Sequence, residues 1–238
     1  MHEYIVGTHM ISLVNILDFI GYRCLNFSYN ISKRNRWPEE EQNRFFQEDP
    51  FDVKRITYPL NSESLVLDIG GYDGVWAMPV FCRYQPEICI YEPHPKLAEQ
   101  CRQIFLGNSK VTVVEAGLSD HNGTAKFYGD SPEGSVYKNE SRKIIEITLR
   151  KASDELKKRF KGRRINLMSI NIEGSEYDVL PDLIENYDMT SIDYLIIQFH
   201  AIVPDYQKKC AEIRKGLEKT HHLEWKYDMI WESWGRSQ

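Results

Sequence analysis

The stretch Leu65–Gly74, with the sequence LVLDIGGYDG, decides the fold. It joins an apolar run that ends in an acid, Asp68, to a glycine-rich turn. A short apolar run of this kind predicts a parallel strand with both faces buried. Glycines suit the turn because the chain must reverse sharply while its backbone approaches a ligand. The stretch therefore predicts the first strand of an open α/β sheet with a binding site at its end.

A second acid, Glu92, follows about twenty residues later at the end of another apolar run and before Pro93. A carboxylate can accept two hydrogen bonds from a cis-diol, so this position suits the two hydroxyls of a ribose. The two acids together predict a nucleoside site at a switch point of the sheet. A buried strand and turn without a ligand is the plain alternative.

The glycine spacing separates two nucleoside cofactors. Dinucleotide enzymes use G-x-G-x-x-G, and this pattern fails because Tyr72 stands two positions after Gly70 and Gly74 has no matching spacing. An acid two residues before the first glycine also suits a cation better than a pyrophosphate. The amino group and sulfonium of S-adenosylmethionine fit Asp68, so the sequence favours this cofactor over NAD.

Composition places the chain among ordinary soluble globular proteins. It has 238 residues, 42% hydrophobic and 27% charged, which is enough for one large α/β domain. A net charge of −5 argues against a general nucleic-acid binder. Five scattered cysteines without a C-x-x-C pair argue against structural zinc and for a reducing compartment, so a cytoplasmic location is expected.

The N-terminal part predicts an extension of the core domain. Met10, Leu13, Val14 and Leu17 follow helical spacing, which predicts an amphipathic helix too short to span a bilayer. It can pack on its own domain, contact a partner subunit or lie peripherally on a membrane. We expect residues 1–59 to form a helical extension or lid and residues 60–238 to form the main domain.

Strand and helix patterns alternate along the main domain. This alternation predicts a doubly wound, mostly parallel sheet with helices on both faces. Two shorter runs, 124–128 and 144–149, predict an inserted hairpin. The helical segments are 96–105 and 206–220. The predicted strands are 64–69, 88–92, 111–115, 166–172, 192–199 and 223–231.

Polar residues follow the third strand. Ser119 or Asp120 could accept a hydrogen bond from the exocyclic amine of adenine, because the end of this strand faces the ligand. The alternative is a plain turn into the hairpin, for which Asn122-Gly123 is a strong signal.

The fourth and fifth strands carry the candidate catalytic groups. Alternation puts Asn171 and Glu173 on one side of the fourth strand. His200 ends the fifth strand, where a neutral imidazole could take a proton from an attacking hydroxyl. We expect His200 as the base, Glu173 next, and Asn171 as an orienting group, although all three could be structural. By ligand type they could hold a divalent metal, but transfer without a metal is the expectation.

Two further features concern the acceptor. Trp231 and Trp234 flank Glu232 and could stack on a sugar, or they could form an aromatic clasp on the core. Residues 142–164 hold ten Lys or Arg against three acids, a local charge of +7 that leaves −12 on the rest. Such polarity points to an anionic partner such as a lipid-linked glycan, or to a solvated helix surface.

These motifs resemble the FkbM family of S-adenosylmethionine-dependent methyltransferases. The resemblance covers about residues 60–234, and its most specific segment is Ile172–Glu176, IEGSE. The first motif, Leu67–Gly70, belongs to a whole superfamily. Residues 117–123 and 197–200 also match. The chain departs from the family at Ser169, Asn171 and Gln198, where Lys, Asp and Glu are common.

The resemblance implies the seven-stranded Rossmann-like fold of class I methyltransferases, with the last strand antiparallel. It also implies O-methylation of a sugar in a glycan or glycosylated metabolite. The departures leave two alternatives: a degenerate binding module in a glycan-assembly complex, or a methyltransferase for a small non-sugar metabolite, a protein or a peptide. The expected cofactor-binding residues are Asp68, Gly70, Gly71, Tyr72, Gly74, Glu92, Pro93, Ser119 and Asp120.

Overall fold

The computed structural model describes residues 38–128, 136 and 144–237, and these form two compact units that divide between Lys54 and Arg55. In the first unit, α1 (Glu39–Glu48) is followed by Asp49. The Asp49 carboxylate accepts hydrogen bonds from the backbone N–H groups of Val53 and Lys54, which closes the turn after the helix. The predicted amphipathic helix at residues 10–17 lies outside the described residues.

The second unit alternates strands with helices. Its strands are β1 (Leu65–Ile69), β2 (Glu87–Tyr91), β3 (Val111–Val114), β4 (Gly117–Ser119), β5 (Gly123–Tyr128), β6 (Ile144–Lys151), β7 (Leu167–Ile170), β8 (Tyr194–Ile197), β9 (His221–Tyr227) and β10 (Trp231–Arg236). Its helices are α2 (Ala77–Tyr84), α3 (Pro95–Ile104), α4 (Ala152–Arg159), α5 (Glu176–Asn186) and α6 (Tyr206–Leu217). None of these helices has the length and hydropathy that a bilayer-spanning segment needs.

The main sheet has seven strands in the order β3-β2-β1-β7-β8-β10-β9. The first five run parallel to one another, and β10 runs antiparallel to both of its neighbours. The predicted α/β fold, a mostly parallel seven-stranded sheet, is therefore confirmed. The chain leaves β1 toward β2 and β3 and later returns to β7 on the other side. The edge at which the five parallel strands end is called the carboxyl edge below. The strand order reverses between β1 and β7, so the switch point of this edge lies there.

Burial explains why the strand runs are so apolar. All five residues of β1 and all four of β7 are buried, as expected for central parallel strands covered on both faces. Cys210, Ile213 and Leu217 form the buried stripe of α6 at helical spacing. The core is therefore built by the runs that the sequence pattern marks as strands and by the apolar stripes of the helices.

A second, three-stranded sheet has the order β4-β6-β5. Residues 124–128 pair antiparallel with residues 144–148, which confirms the two runs of the predicted hairpin. The sequence did not indicate that β4 would join β6 in parallel from the other side. Gly117 permits this approach, because a Cβ there would lie 3.1 Å from Leu149 Cδ2 and 3.5 Å from Pro93 Cβ.

The prediction of a single strand at 223–231 is wrong. This segment spans the end of β9, a turn and the first residue of β10, and the two strands form an antiparallel hairpin. The turn holds Asp228, Met229 and Ile230, without the glycine or proline that usually marks one, and Met229 takes a left-handed backbone with φ of 58°. β10 takes the role of the last, antiparallel strand.

The fourth predicted strand is also shorter than expected. β7 ends at Ile170, so the alternation that placed Asn171 and Glu173 on one side does not apply beyond it. Glu173 instead adopts a left-handed backbone with φ of 50°, followed by Gly174 at 106°. A non-glycine residue in this region is strained, which is often found at functional sites. The helix that follows begins at Glu176 and contains Pro181, five residues past its start.

Gly70 is predicted to be irreplaceable for packing. Its φ is 91°, and a Cβ there would lie 2.0 Å from the backbone oxygen of Asn171. Replacement by alanine should lower the free energy of unfolding by at least about 3 kcal/mol, because backbone strain and overpacking add. Denaturant unfolding measures this difference.

Gly162 provides the matched control, because its φ is 71° but a Cβ would meet nothing within 4 Å. Gly162→Ala should cost only about 1 kcal/mol, the strain alone. Equal costs for the two substitutions would show that the loop after β1 moves freely away from Asn171.

Candidate functional site

The glycine turn after β1 is tied to the end of β2. The backbone N–H groups of Gly70 and Gly71 both donate to the Tyr91 carbonyl oxygen, at 2.9 and 3.2 Å. Tyr72 N–H donates to Glu92 Oε2 at 2.8 Å, and Tyr72 takes a left-handed φ of 50°. The turn and Glu92 are therefore parts of one unit at the switch point.

Two buried carboxyl groups stand at this point. Asp68 and Glu92 are only 2% and 4% exposed. Burial, and then the nearby charge of Glu92, raise the pKa of Asp68 well above its usual range, while Arg55 opposes the shift. Burial also raises the pKa of Glu92 to about 7, against the hydrogen bonds from the N–H groups of His94 and Tyr72. Burial therefore dominates both groups, and the charge of Arg55 offsets it only in part at Asp68.

The residues present fit S-adenosylmethionine. Asp68 Oδ2 is buried and has no hydrogen-bond partner among the described residues, which is costly unless a ligand donor reaches it. The two oxygens of Glu92 each accept one backbone N–H, from Tyr72 and His94, and each keeps a lone pair for a diol. An ammonium at Asp68 and a ribose at Glu92 would satisfy both groups.

The predicted adenine residues differ in exposure. Ser119 is buried at the end of β4, whereas the Asp120 side chain is exposed and lies 2.6 Å from His121 Nδ1. That hydrogen bond is the main cause that lowers the pKa of Asp120. Pro93 lies against Gly117, so the structure brings the β2 end and the β4 segment together. Which of the two groups meets adenine stays a prediction.

Three side chains meet beyond β7 and β8. His200 Nε2 lies 3.3 Å from Glu173 Oε1, and His200 Nδ1 lies 3.1 Å from Glu176 Oε1. Glu176 also accepts the backbone N–H groups of His200, at 2.7 Å, and Gly174, at 2.8 Å. Glu176 is fully buried, so it acts as the centre that fixes the turn and the imidazole ring.

The two carboxylates determine the charge of His200. Burial of the ring opposes protonation, but the charges of Glu176 and Glu173 outweigh it and raise the pKa of His200 to about 10. The ring is therefore an imidazolium at neutral pH, with both nitrogens carrying protons. An imidazolium has no lone pair with which to accept a proton from an acceptor hydroxyl.

Asn171 lies between this cluster and the glycine turn. Its backbone oxygen packs against Gly70, and its backbone N–H donates to the Ile69 carbonyl oxygen at 3.0 Å. Its side-chain oxygen Oδ1 is buried and has no hydrogen-bond partner among the described residues. The structure thus places a second buried acceptor without a donor near the switch point.

The interpretation of Trp231 and Trp234 as sugar-stacking groups is wrong. Both are buried in β10, and Glu232 between them is 1% exposed. Arg214 Nε donates to Glu232 Oε1 at 2.8 Å, and Trp234 Nε1 donates to Glu232 Oε2 at 3.1 Å. The segment is therefore an aromatic clasp on the core, which was the alternative.

The basic segment forms ion pairs within the chain. Arg163 bonds Glu87 at the start of β2, and Arg164 bonds Asp193, so these charges lie at the edge opposite the carboxyl edge. Arg150 and Arg159 both bond Glu155, and Lys151 lies 3.5 Å from Asp182. Lys157, Lys158 and Lys161 are exposed.

The family model of the methyltransferase FkbM domain matches residues 68–227, about two thirds of the chain. The chain belongs to the FkbM methyltransferase family. This confirms the resemblance noted in the sequence, and S-adenosylmethionine is the methyl donor of that family. The protein is thus an S-adenosylmethionine-dependent methyltransferase, and the role of the acids and the glycine turn at the switch point in holding the methyl donor stays a prediction.

Solved structures give more distant likenesses. An rRNA methylase from Streptococcus thermophilus matches at 10% identity and a TM-score of 0.46, covering 79% of this chain and 95% of that chain. Precorrin-6y C5,15-methyltransferase from Geobacter metallireducens matches at 14% and 0.42, covering 78% and 85%. Aeropyrum pernix fibrillarin, solved with S-adenosylmethionine, matches at 8% and 0.44, covering 78% and 74%. Among curated proteins no match to the chain is found.

Sequence reasoning missed Glu176 as a site residue. It lies within the most specific motif, at the first position of α5, where an acid also stabilises the helix N-terminus. The motif could have identified it, but the pattern does not reveal that its carboxylate accepts from His200, 24 residues later. The described residues contain no group of three His, Cys, Asp or Glu side chains that could hold a metal.

Binding of S-adenosylhomocysteine, the demethylated cofactor, should depend on pH near neutrality. The pKa of Glu92 in the free protein is about 7, and its ionised form is the better acceptor for a ribose diol. Affinity should therefore fall by about tenfold for each pH unit below about 7, and binding should release a proton. Calorimetry in two buffers of different ionisation enthalpy measures that proton.

Glu92→Gln should weaken the binding of S-adenosylhomocysteine and abolish the release of the proton that Glu92 loses on binding. Glu115 is the matched control, because it is an exposed carboxylate just beyond β3, and Glu115→Gln should leave both quantities unchanged. A flat affinity between about pH 6 and 8 without proton release would contradict the assignment of Glu92.

His200 should stay protonated up to about pH 10, because two carboxylates hold its ring. Its pKa lies above the unfolded value, so its contribution to stability is present below about 6.5 and is lost as the pH rises through 10. Nitrogen-15 NMR of the histidine rings reports the charge directly. Glu173→Gln should lower the pKa of His200 by about one unit or more.

The matched control is Glu224→Gln, which removes the carboxylate beside the exposed His222 and should leave His200 unchanged. A neutral His200 ring at pH 7 would contradict the proposed charge state.

Proposed function

We propose that the protein transfers a methyl group to a hydroxyl of a sugar, in a glycan or a glycosylated metabolite. When bound, S-adenosylmethionine supplies a methyl group on an electrophilic sulfonium. The chain must then bind the acceptor, orient one hydroxyl and remove its proton. The observation that carries the proposal is the pair of hydrogen-bond acceptors, Asn171 Oδ1 and the Glu173 carboxylate, beyond β7.

Both groups suit a hydroxyl-rich acceptor. A hydroxyl donates one hydrogen bond, and the buried Asn171 Oδ1 has none to accept among the described residues. The half-buried Glu173 can accept a second one from a neighbouring hydroxyl. The resemblance to the family, which implies methylation of sugars, supports the same acceptor class. Orientation of the reacting oxygen by such contacts can supply several kcal/mol of the rate enhancement.

We assign the proton-accepting role to Glu173 and not to His200. The Glu173 carboxyl lies 3.3 Å from His200 Nε2, and its backbone is strained just beyond the strand end. His200 then positions the Glu173 carboxylate and balances its charge, while Asn171 orients the acceptor. A carboxylate is a weaker base than a neutral imidazole, but the sulfonium is electrophilic enough that partial proton removal suffices.

The acceptor can be free or attached to a carrier. An anionic or lipid-linked glycan stays within the proposal, because the exposed Lys157, Lys158 and Lys161 could attract a negative charge. A cytoplasmic enzyme that is peripheral to a membrane would fit such a carrier. The proposal includes no nucleic-acid substrate, since the net charge is −5.

The test is methyl transfer to a panel of acceptors from a labelled donor. The purified protein is incubated with S-adenosylmethionine carrying a deuterated methyl group and with glycan, metabolite and peptide fractions of the source cell. Mass spectrometry should find the label on a sugar oxygen. Glu173→Gln should lower the turnover rate by about a hundredfold or more while S-adenosylhomocysteine affinity changes little.

Each other outcome contradicts part of the proposal. Label on a peptide or a non-sugar metabolite would overturn the acceptor class. Cofactor binding without transfer to any fraction would favour a binding module, as the departures at Ser169, Asn171 and Gln198 allow. An activity that rises with pH up to about 10 would return the base role to His200.

A further inference from the structure

Gln198 is a second buried amide at the carboxyl edge, besides Asn171. It follows β8 directly, and its backbone N–H donates to the Ile170 carbonyl oxygen at 2.9 Å. The residue is only 6% exposed, and its side-chain amide forms no hydrogen bond with another residue that the structure describes. A buried amide without a partner is costly, so we expect a group from outside the chain to satisfy it.

The side chains of Asn171 and Gln198 point to the same face of the sheet. The residues before and after each amide pack in or against one hydrophobic cluster on the opposite face: Ile170, Ile172, Ile197 and Phe199. Successive side chains of an extended chain point to opposite sides, so each amide is turned away from that cluster. The backbone N–H of Asn171 donates to Ile69 of β1, so its backbone still follows the strand.

The two amides are also neighbours across the strands. Ile170 of β7 pairs with Ile197 of β8, so the residues that follow them, Asn171 and Gln198, stand next to each other. Neighbouring strands lie about 4.8 Å apart. The two side chains can therefore meet adjacent groups of a single ligand.

The order of the strands assigns different roles to the two amides. Asn171 is nearer to the glycine turn, because its backbone oxygen packs against Gly70, and Gln198 lies one strand further from β1. A side-chain amide holds one acceptor oxygen and two N–H donors, which match a hydroxyl that both donates and accepts. A hydroxyl at Asn171 is thus the closer one to the switch point, and a hydroxyl at Gln198 lies beside it.

We propose that Gln198 binds the hydroxyl next to the one that is methylated, so that the acceptor is a vicinal diol of a sugar ring. The inference rests on the proposed function, because it defines the acceptor of the same site. Two side chains that hold two adjacent hydroxyls fix both the position and the rotation of the ring, and so select one oxygen.

The same contacts limit the reaction to one methyl group per diol. The hydroxyl oxygen gains the methyl group and loses its proton to Glu173, and the sulfonium becomes a neutral thioether. The methylated oxygen then has no proton to donate to Asn171 Oδ1, which has no partner among the described residues. A ring that has been methylated once therefore binds less well than the original diol.

The position of the transferred methyl group tests the inference. The probes are the glycan and metabolite fractions of the source cell, incubated to completion with the deuterated donor. Hydroxyls that stay free are then methylated chemically with carbon-13, and mass spectrometry of the hydrolysed sugars assigns each ring carbon. Every deuterated methyl group should lie beside a carbon that kept a free hydroxyl, and no ring should carry two of them on neighbouring carbons.

Gln198→Leu removes the hydrogen-bonding groups at a similar side-chain size. The KM for the acceptor should rise at least about tenfold, and the label should spread over both hydroxyls of the diol. The affinity for S-adenosylhomocysteine should change by less than about threefold. Gln198→Glu keeps an oxygen that accepts from a hydroxyl, so it should retain the label on a single hydroxyl.

Ser233→Ala is the matched control. Ser233 is buried, pairs with Ile196 and bonds the Tyr58 hydroxyl at 2.9 Å, so it lies two residues deeper on the same face as Gln198. Its replacement should lower the melting temperature and leave the acceptor KM and the position of the label unchanged. If Gln198→Leu does not fold, the product analysis of the wild-type protein and of Gln198→Glu decides.

Several results would overturn the inference alone. These are label on a sugar carbon without a free hydroxyl on either neighbouring carbon, two labelled neighbours in one ring, and an unchanged KM and label position in Gln198→Leu. Label that spreads equally in Ser233→Ala would reduce Gln198 to a part of the local packing. A wild-type protein that labels no sugar would instead overturn the proposed function, and this inference with it.

Discussion

The burial of two carboxyl groups at neighbouring strand ends is the constraint on which the site depends. Each of the two groups is buried, which raises the free energy of its charged form, and the charge of Glu92 adds to this cost at Asp68. The glycine turn lies against them and uses Glu92 as an acceptor for its own N–H group. A ligand with an ammonium and a diol relieves both carboxylates at once. The free-energy cost of burying these carboxyl groups would therefore be offset when such a ligand binds.

The cluster beyond β7 divides its acids by role. Glu176 is fully buried and is bonded to two backbone N–H groups, so its carboxylate is committed to holding the turn. Glu173 is partly exposed, lies beside His200 Nε2, and has a strained backbone conformation. The strained backbone at Glu173 is tolerated because Glu176 accepts hydrogen bonds from the backbone N–H groups of Gly174 and His200 and so holds the turn in place. The acid that we propose to react and the acid that holds the turn thus lie three residues apart in one motif.

The sequence was sufficient for the features that depend on local pattern. Buried runs, glycine turns and the acids Asp68 and Glu92 could all be placed from spacing. Contacts between residues far apart in the sequence could not be predicted in this way. Arg214 forms an ion pair with the buried Glu232, beside the buried Trp234, and no local pattern reveals that these residues meet. The turn at Asp228–Ile230 holds neither glycine nor proline. The charge of His200 is set by acids 24 and 27 positions earlier, so its predicted role as base depended on a contact that the sequence does not show.

The distribution of charge limits which acceptors can approach. Acids dominate the carboxyl edge, with Asp68 and Glu92 at the switch point and Glu173 beyond β7, whereas Arg163 and Arg164 are paired at the opposite edge. An anionic group close to the reacting hydroxyl would meet this acidic field in a partly buried site, where repulsion is weakly screened. A neutral hydroxyl-rich ring would meet no such barrier and could donate a hydrogen bond to Asn171 Oδ1, which has no partner among the described residues. If the acceptor is the proposed sugar, we therefore expect any phosphate or carboxylate on it to lie well away from the hydroxyl that receives the methyl group.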